Sequence, residues 1–183
     1  MRIVAGRYGG RRLIAPPGNA TRPTSDRVRE ALFQRLGPLD GLRVLDLFAG
    51  SGALAFEALS RGAARATLVD SAPAAVKAIT ANVVALGLGE EAVEVRRQDV
   101  RAFIRGARAT GHEYDLVLLD PPYRLAAKLG RELSPSIAAV LAPGGHVVSE
   151  SDRRAPLDLD PDLPLTDERR YGDTLIRIHE RTQ

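Results

Sequence analysis

From Gly41 onward the hydrophobic positions of this 183-residue chain fall into two alternating rhythms. Short apolar runs predict strands near 43–49, 66–70, 93–99, 114–120 and 145–150. Between them, amphipathic stretches predict helices near 53–61, 73–86, 100–109 and 126–141. Such alternation, with strands apolar throughout, implies a mostly parallel sheet covered on both faces. The end of the chain breaks the rhythm. Leu165 to Tyr171 and Thr174 to Glu180 read as two strands about Gly172-Asp173, the signal of an antiparallel hairpin. The start differs again. Arg2-Ile3-Val4-Ala5 and Arg11-Arg12-Leu13-Ile14 read as a short hairpin with Gly6, Gly9 and Gly10 in its turn, ended by Pro16-Pro17-Gly18-Asn19. Thr24 or Ser25 is the expected N-cap of a helix over about 26–36. Its apolar stripe is Val28, Ala31, Leu32 and Leu36, with Arg27, Arg29 and Arg35 elsewhere on the wheel. The expected organisation is an extension over 1–40 and an α/β domain over 41–183.

Composition narrows this picture. With 44% hydrophobic and 27% charged residues the chain can bury a full core as one globular unit. No apolar run approaches the roughly 20 residues of a membrane span. The first residues lack the apolar stretch of a secretory signal, so a cytoplasmic location is the expectation. With no cysteine, disulfides, thiolate metal sites and cysteine nucleophiles are excluded. The net charge of +3 is unevenly placed. Arg2, Arg7, Arg11, Arg12, Arg22, Arg27, Arg29 and Arg35 stand against only Asp26 and Glu30, so the body of the chain is slightly acidic. A basic arm on such a body suggests a polyanionic partner, although an arginine-rich solvated face reads the same way.

The candidate chemistry lies at strand tips. Asp46 to Gly52 (Asp-Leu-Phe-Ala-Gly-Ser-Gly) falls where a first strand turns into a first helix, the place where doubly wound sheets bind ligands. Gly50 and Gly52 allow a sharp turn and close approach to a ligand. Amides opening the next helix can face a carboxylate. Asp46 could bind an ammonium. Asp70, at the second tip, could accept from two ribose hydroxyls. Asp99, at the third, could accept from an adenine amine or simply cap the helix that begins at Val100. The same glycines, with Ala55, satisfy a loose dinucleotide fingerprint. Asp46 before the glycines and Asp99 on the next strand favour S-adenosylmethionine over a nicotinamide.

The run Tyr114 to Leu119 ends in Asp120-Pro121-Pro122-Tyr123. The exocyclic amine of a nucleobase is a poor nucleophile, because its lone pair is delocalised into the ring. The Asp120 carboxylate and the Pro121 carbonyl can accept from both of its N–H bonds, held in place by the prolines. The Tyr123 ring can stack on a base extruded from its helix, a contact worth roughly 1–3 kcal/mol. The plainer reading is a strand-ending turn. His112, His146 and His179 have no ligand-like neighbours, and no metal cluster or Ser/His/Asp set stands out.

Taken together, these residues resemble the bacterial 16S ribosomal RNA guanine-N2 methyltransferases, the RsmD family. The resemblance runs over nearly the whole chain. It rests on Arg2 to Gly6 with Gly10 to Leu13, Thr21 to Thr24 with Asp26 to Glu30, Phe48 to Leu54, Glu57 to Ala63, Asp120 to Tyr123 and Tyr171 to Thr174. It implies a Rossmann-like class I fold, a mostly parallel seven-stranded sheet finished by an antiparallel hairpin. The cofactor implied is S-adenosylmethionine, held by Asp46, Phe48, Ala49, Gly50, Gly52, Asp70, Asp99 and Val100. Methyl transfer to the N2 amine of a guanine in 16S rRNA of the small subunit would be carried by Asp120, Pro121, Pro122 and Tyr123. Arg2, Arg11, Arg12, Arg22, Arg27 and Arg29 would contact RNA phosphates, with Thr21 to Thr24 closing over the cofactor. A monomer acting without metal or membrane completes the expectation. Asp70 stands where glutamate is more usual, and Ala55-Phe56 replace a smaller Gly-Leu pair. A DNA adenine-N6 or cytosine-N4 methyltransferase would use the same tetrad, but no insertion supplies a sequence-reading domain. An inactive binding protein would show a broken loop or tetrad, and both are intact.

Overall fold

The structure, a computed structural model, describes residues 1–17, 25–122, 126–159 and 161–182. In chain order its elements are α1 (Asp26–Leu36), β1 (Arg43–Leu47), α2 (Ala53–Ser60), β2 (Arg65–Asp70), α3 (Pro73–Leu86), β3 (Val93–Arg97), α4 (Val100–Ala109), β4 (Tyr114–Leu119), α5 (Ala126–Val140), β5 (Leu141–Asp152), β6 (Leu165–Tyr171) and β7 (Thr174–Glu180). The strands form one sheet in the order β3-β2-β1-β4-β5-β7-β6. The first five run parallel, and β7 inserts antiparallel between β5 and β6. The chain reverses its winding between β1 and β4, which makes their shared C-terminal edge the natural ligand crevice.

Alternation along the strands sorts the core into two layers. Val44, Leu68, Leu118 and Val148 face one layer, with Phe56 and Ile79 from α2 and α3. Leu45, Leu47, Val69, Val117, Leu119 and Val147 face the other, with Ile104 from α4 and Leu133 and Ile137 from α5. Most expected elements are present, with shifted ends. The third strand stops at Arg97 because Asp99 caps α4. The fifth, expected over 145–150, begins at Leu141 and runs to Asp152.

The extension holds its expected hairpin and helix, but its anchoring to the domain was not foreseen. Ile3 N–H donates to Arg11 O at 3.0 Å, Gly10 N–H to Ile3 O at 2.9 Å and Leu13 N–H to Met1 O at 3.1 Å, around an antiparallel Arg2–Arg12 bridge, and side chains of the domain beneath hold the hairpin down. Val4 and Ala5 N–H donate to the two oxygens of buried Glu57 on α2, at 2.7 and 3.1 Å. Tyr8 N–H donates to Ser60 Oγ at 2.9 Å. Asn82 on α3 pairs with both backbone groups of Ile14 and also donates to the Ser51 carbonyl at 3.0 Å. Gly6 has φ +80°, and a Cβ there would lie 1.8 Å from the Ser60 carbonyl oxygen, so no other residue fits this close approach. Ile3, Leu13, Val28, Leu32, Phe33 and Leu39 complete the first core layer. On α1, Ser25 is the N-cap, its Oγ accepting from Val28 N–H; Thr24 lies outside the described residues. The buried stripe is Val28, Arg29, Leu32 and Phe33, so Arg29 faces inward, contrary to the expected wheel.

Candidate active site

Four parallel strand tips meet at the crevice. Val44, Leu68, Leu118 and Val148 all face the first core layer, and period-two alternation carries Asp46, Asp70, Asp120 and Glu150 onto the same side. The register is tight. Leu119 lies beside Leu47 of β1 and Ser149 of β5, so Asp120 stands between the tip of β1 and Glu150.

Past β1 the backbone turns through an uncommon conformation. Phe48 has φ +63°, a left-handed value that costs a bulky residue of order 1–3 kcal/mol. Ala49 N–H donates to Val69 O at 3.1 Å, and Gly50 N–H donates to Asp70 Oδ2 at 2.9 Å. Gly52, at φ +78°, is the N-cap of α2. A Cβ on Gly52 would meet Phe56 Cε2 at 2.5 Å and Leu68 Cδ2 at 2.7 Å. Its close approach is therefore to the core rather than to a ligand as the sequence suggested. The large Phe56 is accommodated because residue 52 has no side chain.

Asp46 is only 2% exposed, and its Oδ2 accepts from Ala55 N–H at 3.2 Å. It thus supplies the helix-capping acceptor that Gly52 lacks, and it occupies one of the amides expected to be open to a ligand carboxylate. Burial pushes the Asp46 carboxyl up to about 7; the Ala55 bond works against the shift and the charge of Asp70 adds to it. Asp120 rises well above the usual carboxylate range, through burial first and then the charges of Glu150 and Asp46. Among the described residues, no cation contributes to either shift. A group carrying positive charge would stabilise both ionised carboxylates.

Asp70 accepts from Gly50 N–H with one oxygen and from Ala72 N–H with the other, both at 2.9 Å. Asp99 caps α4 through one oxygen, accepting from Arg101 and Ala102 N–H at 3.0 and 3.2 Å, as the plainer reading expected. Val100 is buried in the second core layer. Pro121 is buried and Pro122 exposed, while Tyr123 lies outside the described residues.

The arginines divide. Arg11, Arg12 and Arg27 are exposed; Arg11 also donates to Ala85 O. Arg2 is exposed and donates to Asp26 Oδ2 at 2.9 Å. Arg29 is 1% exposed and donates to Asp26 Oδ1 at 2.8 Å and to the Arg2 carbonyl at 2.5 Å. It is a structural cation and does not offer itself to a phosphate. Arg22 and the segment Thr21 to Thr24 lie outside the described residues. His179 is buried and held neutral by desolvation, its Nδ1 2.8 Å from Leu163 O. No metal-binding cluster occurs among the described residues.

Sequence reasoning overlooked Glu150, 4% exposed at the β5 tip. The signal was available: the expected fifth strand, 145–150, closes on Val147-Val148-Ser149-Glu150, an apolar run followed by an acid, the same pattern that drew attention to Asp70 and Asp120. Glu57 and Asn82 were also passed over as holders of the extension. Inside a helix, nothing in the sequence separates an acid or amide that faces a docked segment from one that faces water.

Comparison with known proteins bears on this geometry. Residues 1–180 match the family described as conserved hypothetical protein 95. The Escherichia coli ribosomal RNA small subunit methyltransferase D is 33% identical over 99% of this chain and 90% of its own length. The chain belongs to the ribosomal RNA small subunit methyltransferase D family. A second family relative, Bacillus subtilis YlbH, provisionally named an rRNA methyltransferase, is 36% identical over 99% of both chains. A solved hypothetical protein of Thermus thermophilus superposes with a TM-score of 0.82 at 35% identity, covering 97% of this chain and 98% of its own. The family fold is thus the S-adenosylmethionine-dependent methyltransferase sheet described above, with its antiparallel β7.

Proposed function

We propose that this family member transfers the methyl group of S-adenosylmethionine to the exocyclic N2 amine of a guanine in 16S rRNA of the small ribosomal subunit. It would act as a cytoplasmic monomer, with residues 1–40 contacting RNA and residues 41–183 holding the chemistry. The observation that carries the reading is the adjacency of Asp120 and Asp46 on neighbouring strand tips at the switch point. S-adenosylmethionine supplies a methyl group on a positively charged sulfur and carries an ammonium. The chain's residues fit such a cation, because Asp46 and Asp120 are acids without cationic compensation among the described residues. Asp46 would face the ammonium and Asp70 the ribose, with Phe48 to Gly52 curving around the amino-acid end. Asp99 and Val100 would border the adenine.

Asp120 and the Pro121 carbonyl would accept the two amine hydrogens, localising the nitrogen lone pair toward the methyl carbon. Tyr123 would stack on the base. Positioning and local charge then supply most of the rate. The alkylated nitrogen must lose a proton. The raised affinity of Asp120 for protons makes it a better acceptor than an exposed carboxylate.

The test is to incubate the protein with labelled methyl donor and small subunits lacking the modification, then map the product by mass spectrometry. N2-methylguanosine is expected. Absence of incorporation into subunits and into bare 16S rRNA would end the reading. A methylated adenine would end the guanine assignment.

A further inference from the structure

Asp120 alone suffices to hold one hydrogen of an amine, yet the sheet sets a second acid beside it. Glu150 follows Ser149, and Ser149 is in register with Leu119. The two acids therefore extend from the tips of adjacent strands, which lie about 4.8 Å apart, toward the same core layer. Glu150 is on the side of Asp120 away from β1 and β2, where Asp46 and Asp70 stand. It is nearly buried, and its charge is felt at Asp120 more strongly than that of Asp46. Like charges on neighbouring tips repel, and a ligand that donates to both relieves that repulsion.

Nucleobases differ in what they offer such a pair. Guanine presents two adjacent donors, N1–H and the N2 amine. Adenine presents an amine donor beside an N1 lone pair, and cytosine an amine beside an N3 lone pair. Two neighbouring carboxylates match the first pattern and repel the other two. We propose that Glu150 is a specificity-determining residue that accepts N1–H of the target base while Asp120 accepts from its N2 amine, so that the β4–β5 tips select guanine. This rests on the methyl-transfer reading above and adds what that reading lacks, a physical reason for guanine. Glu150 already has an interaction of its own. A carboxylate has about four acceptor positions, so receiving N1–H does not require that interaction to break.

The probe is 2-aminopurine, which keeps the amine at position 2 but carries a lone pair at N1. Small subunits are reconstituted from 16S rRNA bearing either guanine or 2-aminopurine at the nucleotide methylated by the wild-type protein. With wild type, kcat/KM on 2-aminopurine should fall by about 10- to 100-fold relative to guanine. In Glu150→Gln an amide N–H can face the N1 lone pair, so the ratio should move to within about 3-fold of one. S-adenosylmethionine affinity should stay unchanged, because Glu150 lies away from the donor side. A merely structural role would depress both substrates together and leave their ratio intact. Equal wild-type rates on the two substrates overturn the proposal without any variant. A Glu150→Gln ratio equal to that of wild type, in protein whose melting temperature is preserved, also overturns it. If wild type methylates neither substrate, the methyl-transfer reading itself has failed, and that outcome is distinct from the other two.

Discussion

Two regions of this molecule bury carboxylates, and they treat them in opposite ways. Under the extension, Glu57 is fully buried and receives the Val4 and Ala5 amides and the Arg61 guanidinium, the last at 2.7 Å. At the strand tips, Asp46 is equally hidden but, among the described residues, receives a single amide, and like charges rather than cations shift it and Asp120. The first arrangement fixes one conformation. The second holds unspent electrostatic stress at the crevice, the pattern by which perturbed acids mark functional sites. The same side-chain chemistry thus secures an arm in one place and awaits a cation and donors in the other.

The contrast is broken most forcefully at Glu57. In Glu57→Ala, Arg61 keeps a largely buried charge without its partner, and two backbone amides lose their acceptor. Loss of one partner from such a buried pair costs about 3–5 kcal/mol. Urea denaturation should show that loss, with the arm becoming open to protease. A loss below about 1 kcal/mol would mean that the arm is held by its apolar residues alone. At the tips the sign reverses. Asp120→Ala should leave stability unchanged or raised, since it removes an acid with like-charged neighbours. It should lower kcat by about 10²–10³-fold, the usual cost of removing one preorganised group at the reacting centre. Single-turnover rates with saturating methyl donor would measure it. An active Asp120→Ala would leave the amine-holding role without support.

Asp46 sharpens the comparison through pH. Its carboxyl stands at about 7 in the folded chain against an ordinary 3.8. Between these values the folded protein keeps a proton that the unfolded chain has released, so this group makes stability fall as pH rises, with the penalty complete above about 7. His179 works the other way, because its affinity for protons is lowered on folding. Comparing wild type with Asp46→Asn isolates the Asp46 contribution. The stability gained by the variant should grow by about 2–3 kcal/mol from pH 5 to pH 8. A pH-independent difference would show that Asp46 titrates as an ordinary carboxylate. Cationic S-adenosylmethionine favours the ionised form, so its affinity for the wild type should rise over the same interval.

How much of this was legible in the sequence follows the same division. The α/β body was readable because each strand carries its own apolar period and each turn its own glycine or cap, all local signals. The tips of β1, β2 and β4 were readable because Asp46, Asp70 and Asp120 end apolar runs. Glu150 obeys the same rule, but its interest arises only from the pairing of β5 with β4. The arm was readable as a hairpin, but its anchoring was not, for a physical reason. Its own pairing is local, whereas its anchors, Glu57, Ser60 and Asn82, lie more than 50 positions away. Arg29 was misread because charge normally marks the outer face of a helix, and here Asp26 and the Arg2 carbonyl receive it inside.

That misreading gives the smallest and most discriminating expectation. If the arm binds RNA through phosphates, each exposed arginine contributes a displaced counterion, and the logarithm of affinity falls with the logarithm of salt by roughly 0.7–0.9 per contact. Replacing Arg11, Arg12 and Arg27 together by alanine should flatten that slope by about 2, with little change in melting temperature, since all three side chains lie in solvent. Arg29→Ala should do the reverse. The slope should hold, while stability falls because Asp26 and the Arg2 carbonyl lose their buried donor. Filter binding of 16S rRNA fragments across a salt series, paired with melting curves, separates the two classes. An unchanged slope in the triple variant would remove the arm from the RNA interface. A flattened slope in Arg29→Ala with an intact fold would mean that this guanidinium turns outward when RNA arrives.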